Sequence, residues 1–474
     1  MPGATAWGLL PVLAVMLPVL AMVLALPLGA RGAERLTLAL LPVGLGLAAG
    51  TAAAVHGTGA PLWHMLGHWA PPLGLAVRAD GLSAAMLLTA AVVVAAVALF
   101  ARAEFGTAQG APERRAAFAF WPLLLALWGA LNLASVANDL FTLYVALELL
   151  TFAAMPLVCL DGRRETLEAA LRYLMFALLG SVLYLVGVAL LYGAAGTLDI
   201  VLLAERLRPD VPVLVAAALM TAGLLAKTAL LPLHLWLPPA HAGAPAAASA
   251  VLSALVVKGS FLLLVRLWFG VLPGVAAPAA MQLLAGLGAA AILLGSVAAL
   301  AQARLKLLVA YSTVAQIGYL FLMFPLLAAV PGTEAAAKAW TGGVLQAVSH
   351  ALAKAAMFLA VGLMAARLGH DRVAALGGAG RALPLPLLTF GLAGLTLMGV
   401  PPSGGFAAKW LLLSAAIEAG QWWWALVVLG GGLLTGGYVY RVLAAGLGAG
   451  AGIAPAPAAR DGREAVALGL AVLC

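Results

Sequence analysis

The 474-residue sequence is 65% hydrophobic and 9% charged, with a mean hydropathy of +1.11 and a formal net charge of +8. A soluble domain carries about a quarter charged residues, so this composition excludes an ordinary soluble fold and implies a membrane protein. The basic excess does not call for a nucleic-acid partner, because the cations sort by loop.

In chain order, apolar stretches of roughly the 20 residues needed to cross a bilayer lie near 6–29, 36–57, 82–101, 117–136, 139–160, 171–194, 211–233, 245–270, 278–302, 306–330, 341–366, 383–417 and 422–447. About thirteen crossings follow. The first run has no basic residue before it and is longer than the core of a signal peptide, so it reads as a retained first helix. The segment 383–417 is too long for a simple span and holds "GVPPSGG", which points to a tilted, broken span or to a span plus a re-entrant piece. The terminal "EAVALGLAVLC" begins a further apolar run that stops short of crossing, and a missing final helix is expected there.

With the N-terminus outside, sixteen of the 25 lysines and arginines fall in cytoplasmic loops, among them Arg31, Arg163, Arg304 and Arg460. Five fall outside: Arg78, Arg206, Arg208, Arg266 and Lys338. This is the positive-inside bias, so the basic charge reports orientation. Cys159 and Cys474 match no metal or disulfide pattern, and no metal site is expected.

The remaining four cations, Lys227, Lys258, Lys354 and Lys409, sit at mid-segment depth, as does one acid, Glu148. Burying an ionised side chain there costs at least about 2.5–3.5 kcal/mol. Snorkelling to an interface works near helix ends, whereas Glu148 has about ten residues on either side. Buried structural pairs are one reading; a chain of proton-exchanging groups is the other. Lysine suits the second, because desolvation lowers its pKa and a nearby carboxylate raises it again. Arginine stays protonated at all accessible pH, and none occurs in the buried set.

Helix breakers accompany two of these lysines. Pro232 cannot donate to the carbonyl of Thr228, so the backbone opens just after Lys227, and the freed carbonyls can be satisfied by that lysine and by water. In a bilayer such a break persists only when buried in protein or lining a wet cavity. Pro238 follows, flanked by His234 and His241, for which a relay role near the cytoplasmic mouth is favoured over metal ligation because no third ligand is in sight. In the later segment Pro401 and Pro402 free the carbonyls of Leu397 and Met398, ahead of Lys409. Lys227 lies on the seventh crossing and Lys409 on the twelfth, an offset that reverses direction across the membrane. Paired broken segments in inverted halves point to a transport site.

Polar stripes lie beside these groups. Tyr144, Glu148 and Thr151 share a helix face, as do Gln346, His350 and Lys354. His350 can exchange protons near neutral pH, although a lone helical histidine also serves as a hydrogen-bonded structural residue. Ser312, Thr313 and Gln316 read as helix-packing residues by default, with water or a neighbouring helix as their partner. The glycines of 430–437 permit close helix contact and lack the strand-turn-helix context of a nucleotide loop.

At this point the chain resembles a known family: the antiporter-like, proton-conducting membrane subunits shared by respiratory complex I, Mrp-type cation/proton antiporters and membrane-bound hydrogenases. The resemblance is carried by "ADGLSAAMLL" (79–88), "NDLFTLYVALELL" (138–150), "EAALRYLMFALLGS" (168–181), "LLAKTALLPLHLWLPPAHAGAPAAASAVLSALVVKGSFLLLVR" (224–266), the most specific of them, "ARLKLLVAYSTVAQIGYL" (303–320), "SHALAKAAMFLAVG" (349–362) and "GVPPSGGFAAKWLLL" (399–413). It implies an all-α polytopic membrane protein of about 13–14 transmembrane helices, with two inverted five-helix repeats that each contain a broken helix. The implied organisation is helices 1–3 in 1–110, a first inverted repeat in 111–270, a second in 271–450, and a C-terminal loop with the start of an incomplete helix in 451–474.

The resemblance also implies that Glu148 is the acidic partner of Lys227 in a first half-channel, that Lys258 connects the halves, that His350 and Lys354 lie on the linking pathway, and that Lys409 belongs to a second half-channel. The implied function is proton translocation as a subunit of a redox-driven complex of the NADH:quinone oxidoreductase or hydrogenase type. The rival is an Mrp-type sodium/proton antiporter subunit with no redox partner. A scaffold paralogue that has lost transport is a third reading, opposed by the full set of buried ionisable residues. No flavin, iron–sulfur or nicotinamide motif is present, so no cofactor is expected in this chain and any redox chemistry would have to lie in partners; other membrane subunits of a multisubunit complex are expected beside it. The expected surroundings are the lipid bilayer of a bacterial cytoplasmic membrane, crossed many times, with protons or sodium as the transported ion.

Overall fold

In hydrocarbon, a helix satisfies its own backbone polar groups, and each of the expected apolar stretches contains one. The computed structural model describes residues 5–448 and 462–474. Residues 449–461, with Arg460 and most of the expected C-terminal loop, lie outside the described residues.

The chain divides into two compact units. The first comprises Met1–Thr228 and Leu255–Ala276. It begins with α1 (Leu9–Ala25) and α2 (Gly29–Thr58), followed by an antiparallel hairpin of β1 (Leu62–Met65) and β2 (Ala76–Ala79) in which Trp63 faces Arg78. Then come α3 (Gly81–Phe105), α4 (Arg115–Val136), α5 (Leu140–Val158), α6 (Arg164–Ala195), the short α7 (Ile200–Arg206) and α8 (Val211–Thr228). The chain next contributes α9 (Leu237–Gly243) and α10 (Ala246–Val251) to the second unit, and returns to the first with α11 (Val257–Val265). Wider π-helical turns at Leu252–Val256 and Arg266–Val271 flank α11.

The second unit comprises Ala229–Ala254 and Ala277–Cys474. Besides α9 and α10 it holds α12 (Pro278–Ala301), α13 (Leu305–Phe321), α14 (Met323–Ala329), α15 (Glu334–Leu368), α16 (Ala379–Ala382), α17 (Pro384–Met398), α18 (Gly404–Glu418), α19 (Trp422–Leu447) and α20 (Gly462–Val472). In it, α12 and α13 cross at a glycine pair, where a Cβ on Gly318 would lie 2.3 Å from the Gly288 carbonyl oxygen.

Among the described residues, 11 helical segments are long and apolar enough to cross a membrane, and Leu9–Ala25 and Pro384–Met398 are shorter apolar helices. The protein is therefore an all-α polytopic membrane protein. The long stretch 383–417 resolves into two 15-residue helices, α17 and α18, separated at the proline pair. The stretch 211–233 stops being helical at Thr228, as the proline rule requires. The small hairpin was not expected: each strand is four residues long, too short for an alternating pattern to stand out in a Pro- and Gly-rich loop.

Helix starts are fixed by short polar side chains that accept from otherwise orphaned amides. Asp80 caps α3 through Ser83 N at 3.0 Å, Asp139 caps α5 through Thr142 N at 2.8 Å, Asp199 caps α7 through Val201 N at 3.0 Å, and Ser403 caps α18 through Phe406 N at 3.2 Å.

Candidate functional site

In the first unit the buried acid and the first buried lysine form an ion pair. The Lys227 ammonium, on the last turn of α8, donates to Glu148 Oε1 and to Thr151 Oγ1, both on α5, at 3.0 Å each. The two side chains are 6% and 15% exposed, so the pair is held in the protein interior. Ser181, on α6, donates from its hydroxyl to the same Glu148 oxygen. Glu148 Oε1 thus accepts from a charged and a neutral donor at once.

Two glycines make this approach geometrically available. A Cβ on Gly180 would lie 2.6 Å from the Gly223 carbonyl oxygen and 3.2 Å from Lys227 Cγ, and a Cβ on Gly223 would lie 2.2 Å from the Gly180 carbonyl oxygen. Helices α6 and α8 therefore touch backbone to backbone, which brings Lys227 beside Ser181 and Glu148.

A small pocket of about 10 Å³ adjoins the pair, lined by Thr151, Tyr173, Lys227 and Ser260 among others. That is room for about one water molecule. Ser260 lies on α11 and accepts from the Thr228 hydroxyl at 3.0 Å, and the fully buried Lys258 is two residues before it on the same helix. The polar residues therefore continue from Glu148 through Lys227 to the helix that carries Lys258.

One expectation is corrected here. The Lys227 ammonium is turned to the carboxylate of α5, and its hydrogen bonds do not include the Thr228 carbonyl that Pro232 frees. A full negative charge outcompetes a peptide dipole for an ammonium. Tyr144, one turn before Glu148, is half-buried, with its ring packed on Phe141 at 5.9 Å.

In the second unit the break behaves as the sequence implies. Gly399 ends α17 in the left-handed region at φ +84°, and Pro401 leaves the Leu397 carbonyl without its helical donor. That carbonyl accepts from the Lys409 ammonium and, at 3.1 Å, from Gln316 Nε2 on α13. Gln316 Nε2 also reaches Thr435 Oγ1 on α19 at 3.3 Å, and Gln316 Oε1 accepts from Gln346 on α15 at 3.2 Å. The Lys409 ammonium lies 4.0 Å from the ring centroid of Tyr319.

Lys354, also on α15, is fully buried and donates to the Val309 carbonyl at 3.1 Å and to the Ser312 hydroxyl. Its ammonium is therefore held inside the protein and does not snorkel. His350 is buried one turn away. His241 is completely buried and stacks on Phe358 with centroids 4.6 Å apart, whereas His234 is half-buried in the turn before α9, and Pro238 is buried within α9. The expected pair of mouth histidines thus occupies two different environments.

Reading the sequence missed Ser181, Tyr319 and Thr435, and left Gln316 as a packing residue. Ser312, Gln316 and Tyr319 follow the four-then-three spacing of one helix face, a signal that could have joined them.

A second ionic cluster sits at the start of α3. Asp80 accepts from both terminal nitrogens of Arg266, one at 2.8 Å, and Arg78 approaches it to 3.5 Å. Arg266 Nη2 also donates to Ser83 Oγ at 2.8 Å. Burial pushes the Asp80 carboxyl up, but the Arg266 guanidinium, the Ser83 amide and Arg78 outweigh it and hold the group at about 2. Arg78 and Arg266, counted from sequence as loop cations, are therefore structural partners of an acid.

The sequence profile described as NADH:quinone oxidoreductase/Mrp antiporter, transmembrane, matches residues 137–435. The chain is 35% identical over 390 residues to NADH-quinone oxidoreductase subunit N of Desulforudis audaxviator, covering 81% of this chain and 75% of the relative. Its fold matches a chain of the Mrp complex from a Dietzia species with a TM-score of 0.86 at 27% identity, over 99% of this chain and 93% of the other. It matches a chain of an archaeal membrane-bound sulfane sulfur reductase, a respiratory membrane complex, equally well, with a TM-score of 0.86 at 26% identity over 98% and 93% of the two chains.

Proposed function

We propose, since this chain belongs to the NADH:quinone oxidoreductase/Mrp antiporter transmembrane family, that its buried lysines and Glu148 carry protons through an antiporter-like membrane subunit of a redox-driven complex. The observation that carries this reading is the ion pair between Lys227 and Glu148, at 3.0 Å and almost out of solvent. Opposite unit charges this close attract strongly in a protein interior, where water screens them little. A charge change that draws Glu148 away therefore makes the Lys227 proton much easier to lose.

In this reading the proton leaves Lys227 Nζ through the one-water pocket toward the Ser260 hydroxyl and Lys258. Lys354, His350 and Lys409 serve as the exchanging groups of the second unit, with Gln346 and Gln316 holding hydrogen-bonding positions between them. His234, His241 and Tyr144 are proposed as accessory polar positions. The segments 111–270 and 271–450 are proposed as the two inverted repeats, and the membrane as a bacterial cytoplasmic membrane with the N-terminus outside. Redox chemistry is assigned to partner subunits.

A second reading, an Mrp-type subunit exchanging sodium for protons, is supported by the equal likeness to the Mrp complex and to the respiratory reductase. Affinity purification of the assembled complex through a tag on this chain separates the two. Co-purifying iron–sulfur or quinone-reducing subunits and reductant-driven acidification of everted vesicles support the redox reading. Acidification that follows only an imposed sodium gradient replaces it with the antiporter.

A further inference from the structure

The two units treat their break-associated lysines differently. Lys227 has a carboxylate; Lys409 has a backbone carbonyl and an aromatic face. Tyr319 is completely buried on α13, one turn after Gln316, so one helix supplies both the amide that shares the Leu397 carbonyl and the ring beneath the ammonium. Its hydroxyl end occupies a slot made by a glycine: a Cβ on Gly431 of α19 would lie 2.3 Å from the Tyr319 oxygen. The same Cβ would lie 2.3 Å from Ile292 Cγ2, so a larger residue at 431 crowds the Tyr319 ring and Ile292 together.

The titratable groups on the helices packed against α18 are Glu334, Lys338, His350, Lys354 and Arg367 on α15 and Tyr438, Tyr440 and Arg441 on α19, with none on α14 or α17; α18 itself carries Glu418, α13 brings Tyr319, Tyr311 and Lys306, and the main-chain oxygen of Cys474 accepts from Gly404 N at 2.6 Å. Of the acids, Glu334 and Glu418 are engaged by Lys338, at 2.9 and 2.6 Å. Among the described residues no carboxylate bonds to Lys409.

We propose that Tyr319 is the positioning residue of Lys409, its ring face serving in place of a counter-ion to hold the charged ammonium at the Leu397 carbonyl. This rests on the reading of Lys409 as a proton-exchanging group. A ring face attracts a cation most strongly when both are desolvated. Unlike a carboxylate it cannot accept the proton, so it stabilises the ammonium without offering a trap for what the ammonium releases.

The test is the pH profile of proton uptake by everted membrane vesicles holding the whole complex, read with a ΔpH-sensitive acridine dye, for chromosomal Y319F, Y319L, Y319M and K409A. NADH, hydrogen and a sodium gradient are supplied in turn as the driving force, and assembly is checked on native gels. Removing the ring removes a preference for the charged form, so transport that needs the ammonium fails at lower pH. In Y319L and Y319M the alkaline half-maximum moves down by about one pH unit, while Y319F keeps the wild-type profile. An assembled Y319L or Y319M with an unshifted profile overturns the proposal, as does a Y319F profile shifted as far as theirs. Full transport in K409A instead removes the proton reading of Lys409, whatever Tyr319 does, so the two failures are distinct. If neither non-aromatic variant assembles while Y319F does, Tyr319 is a packing residue and the proposal is withdrawn.

Discussion

Lys227 and Glu148 meet at 3.0 Å across α8 and α5, although 79 residues separate them in the chain. Breaking a buried pair from one side leaves the other charge uncompensated and costs about 3–5 kcal/mol. Glu148→Ala and Lys227→Ala should each lower proton transport at least about tenfold while the complex still assembles on native gels. The double variant should destabilise the subunit by less than the sum of the single changes. Unchanged transport in both single variants would remove this pair from the mechanism.

The crossing of α6 and α8 makes a second, independent prediction. Gly223→Ala inserts a methyl group 2.2 Å from the Gly180 carbonyl oxygen, closer than atoms can approach. The helices must separate, and overpacking of this kind costs about 1–3 kcal/mol. Because Lys227 is one turn further along α8, it retreats from Glu148. We expect transport to fall while thermal stability drops only modestly; full transport in an assembled Gly223→Ala complex shows that the close crossing does not position the lysine.

The Asp80 cluster gives a pH dependence with a definite sign. Its carboxyl is held at about 2 against an ordinary 3.8, so the stabilisation is fully present above about 3.8 and is lost as pH falls through about 2. The difference corresponds to on the order of 2 kcal/mol. Asp80→Asn keeps the helix cap to the Ser83 amide but removes the charge that Arg266 and Arg78 share. Detergent-solubilised variant should melt lower than wild type at pH 7, with the gap closing toward pH 2. A gap that persists undiminished at acid pH refutes the electrostatic origin.

The sequence disclosed what physical cost makes rare. An acid and four lysines in hydrocarbon are expensive enough to stand out, and the rule that proline cannot donate to the fourth residue back located the Leu397 carbonyl that Lys409 in fact binds. It did not disclose which acceptor wins. Lys227 bonds Glu148, 79 residues away in the chain, and not the adjoining Thr228 carbonyl, because the close contact of α6 and α8 at Gly180 and Gly223 brings a full charge within reach. Ser181 and Tyr319 were illegible for the opposite reason. Serine and tyrosine in apolar helices cost little and are common, so only their contacts set them apart. Arg266 was misread as a loop cation because a charge count carries no information about a partner 186 residues away in the chain.

The break in the second unit supplies the last prediction. Gly399 adopts φ +84°, a region that costs other residues roughly 1–2 kcal/mol. A Cβ there would also lie 2.8 Å from Lys409 Cδ. Gly399→Ala therefore strains the end of α17 and displaces the lysine stem at once, and both effects pull the ammonium from the Leu397 carbonyl and from the Tyr319 ring. We expect transport to fall as far as in Lys409→Ala, with the quantity of assembled complex reduced only slightly. Gly432, on the other side of the same break, is a control: an added Cβ there meets only the Met398 carbonyl oxygen at 3.1 Å, a contact a small shift relieves, so Gly432→Ala should transport nearly normally. Equal losses in the two variants would mean that any crowding at the break stops transport, and that the position of Lys409 is not the variable that matters.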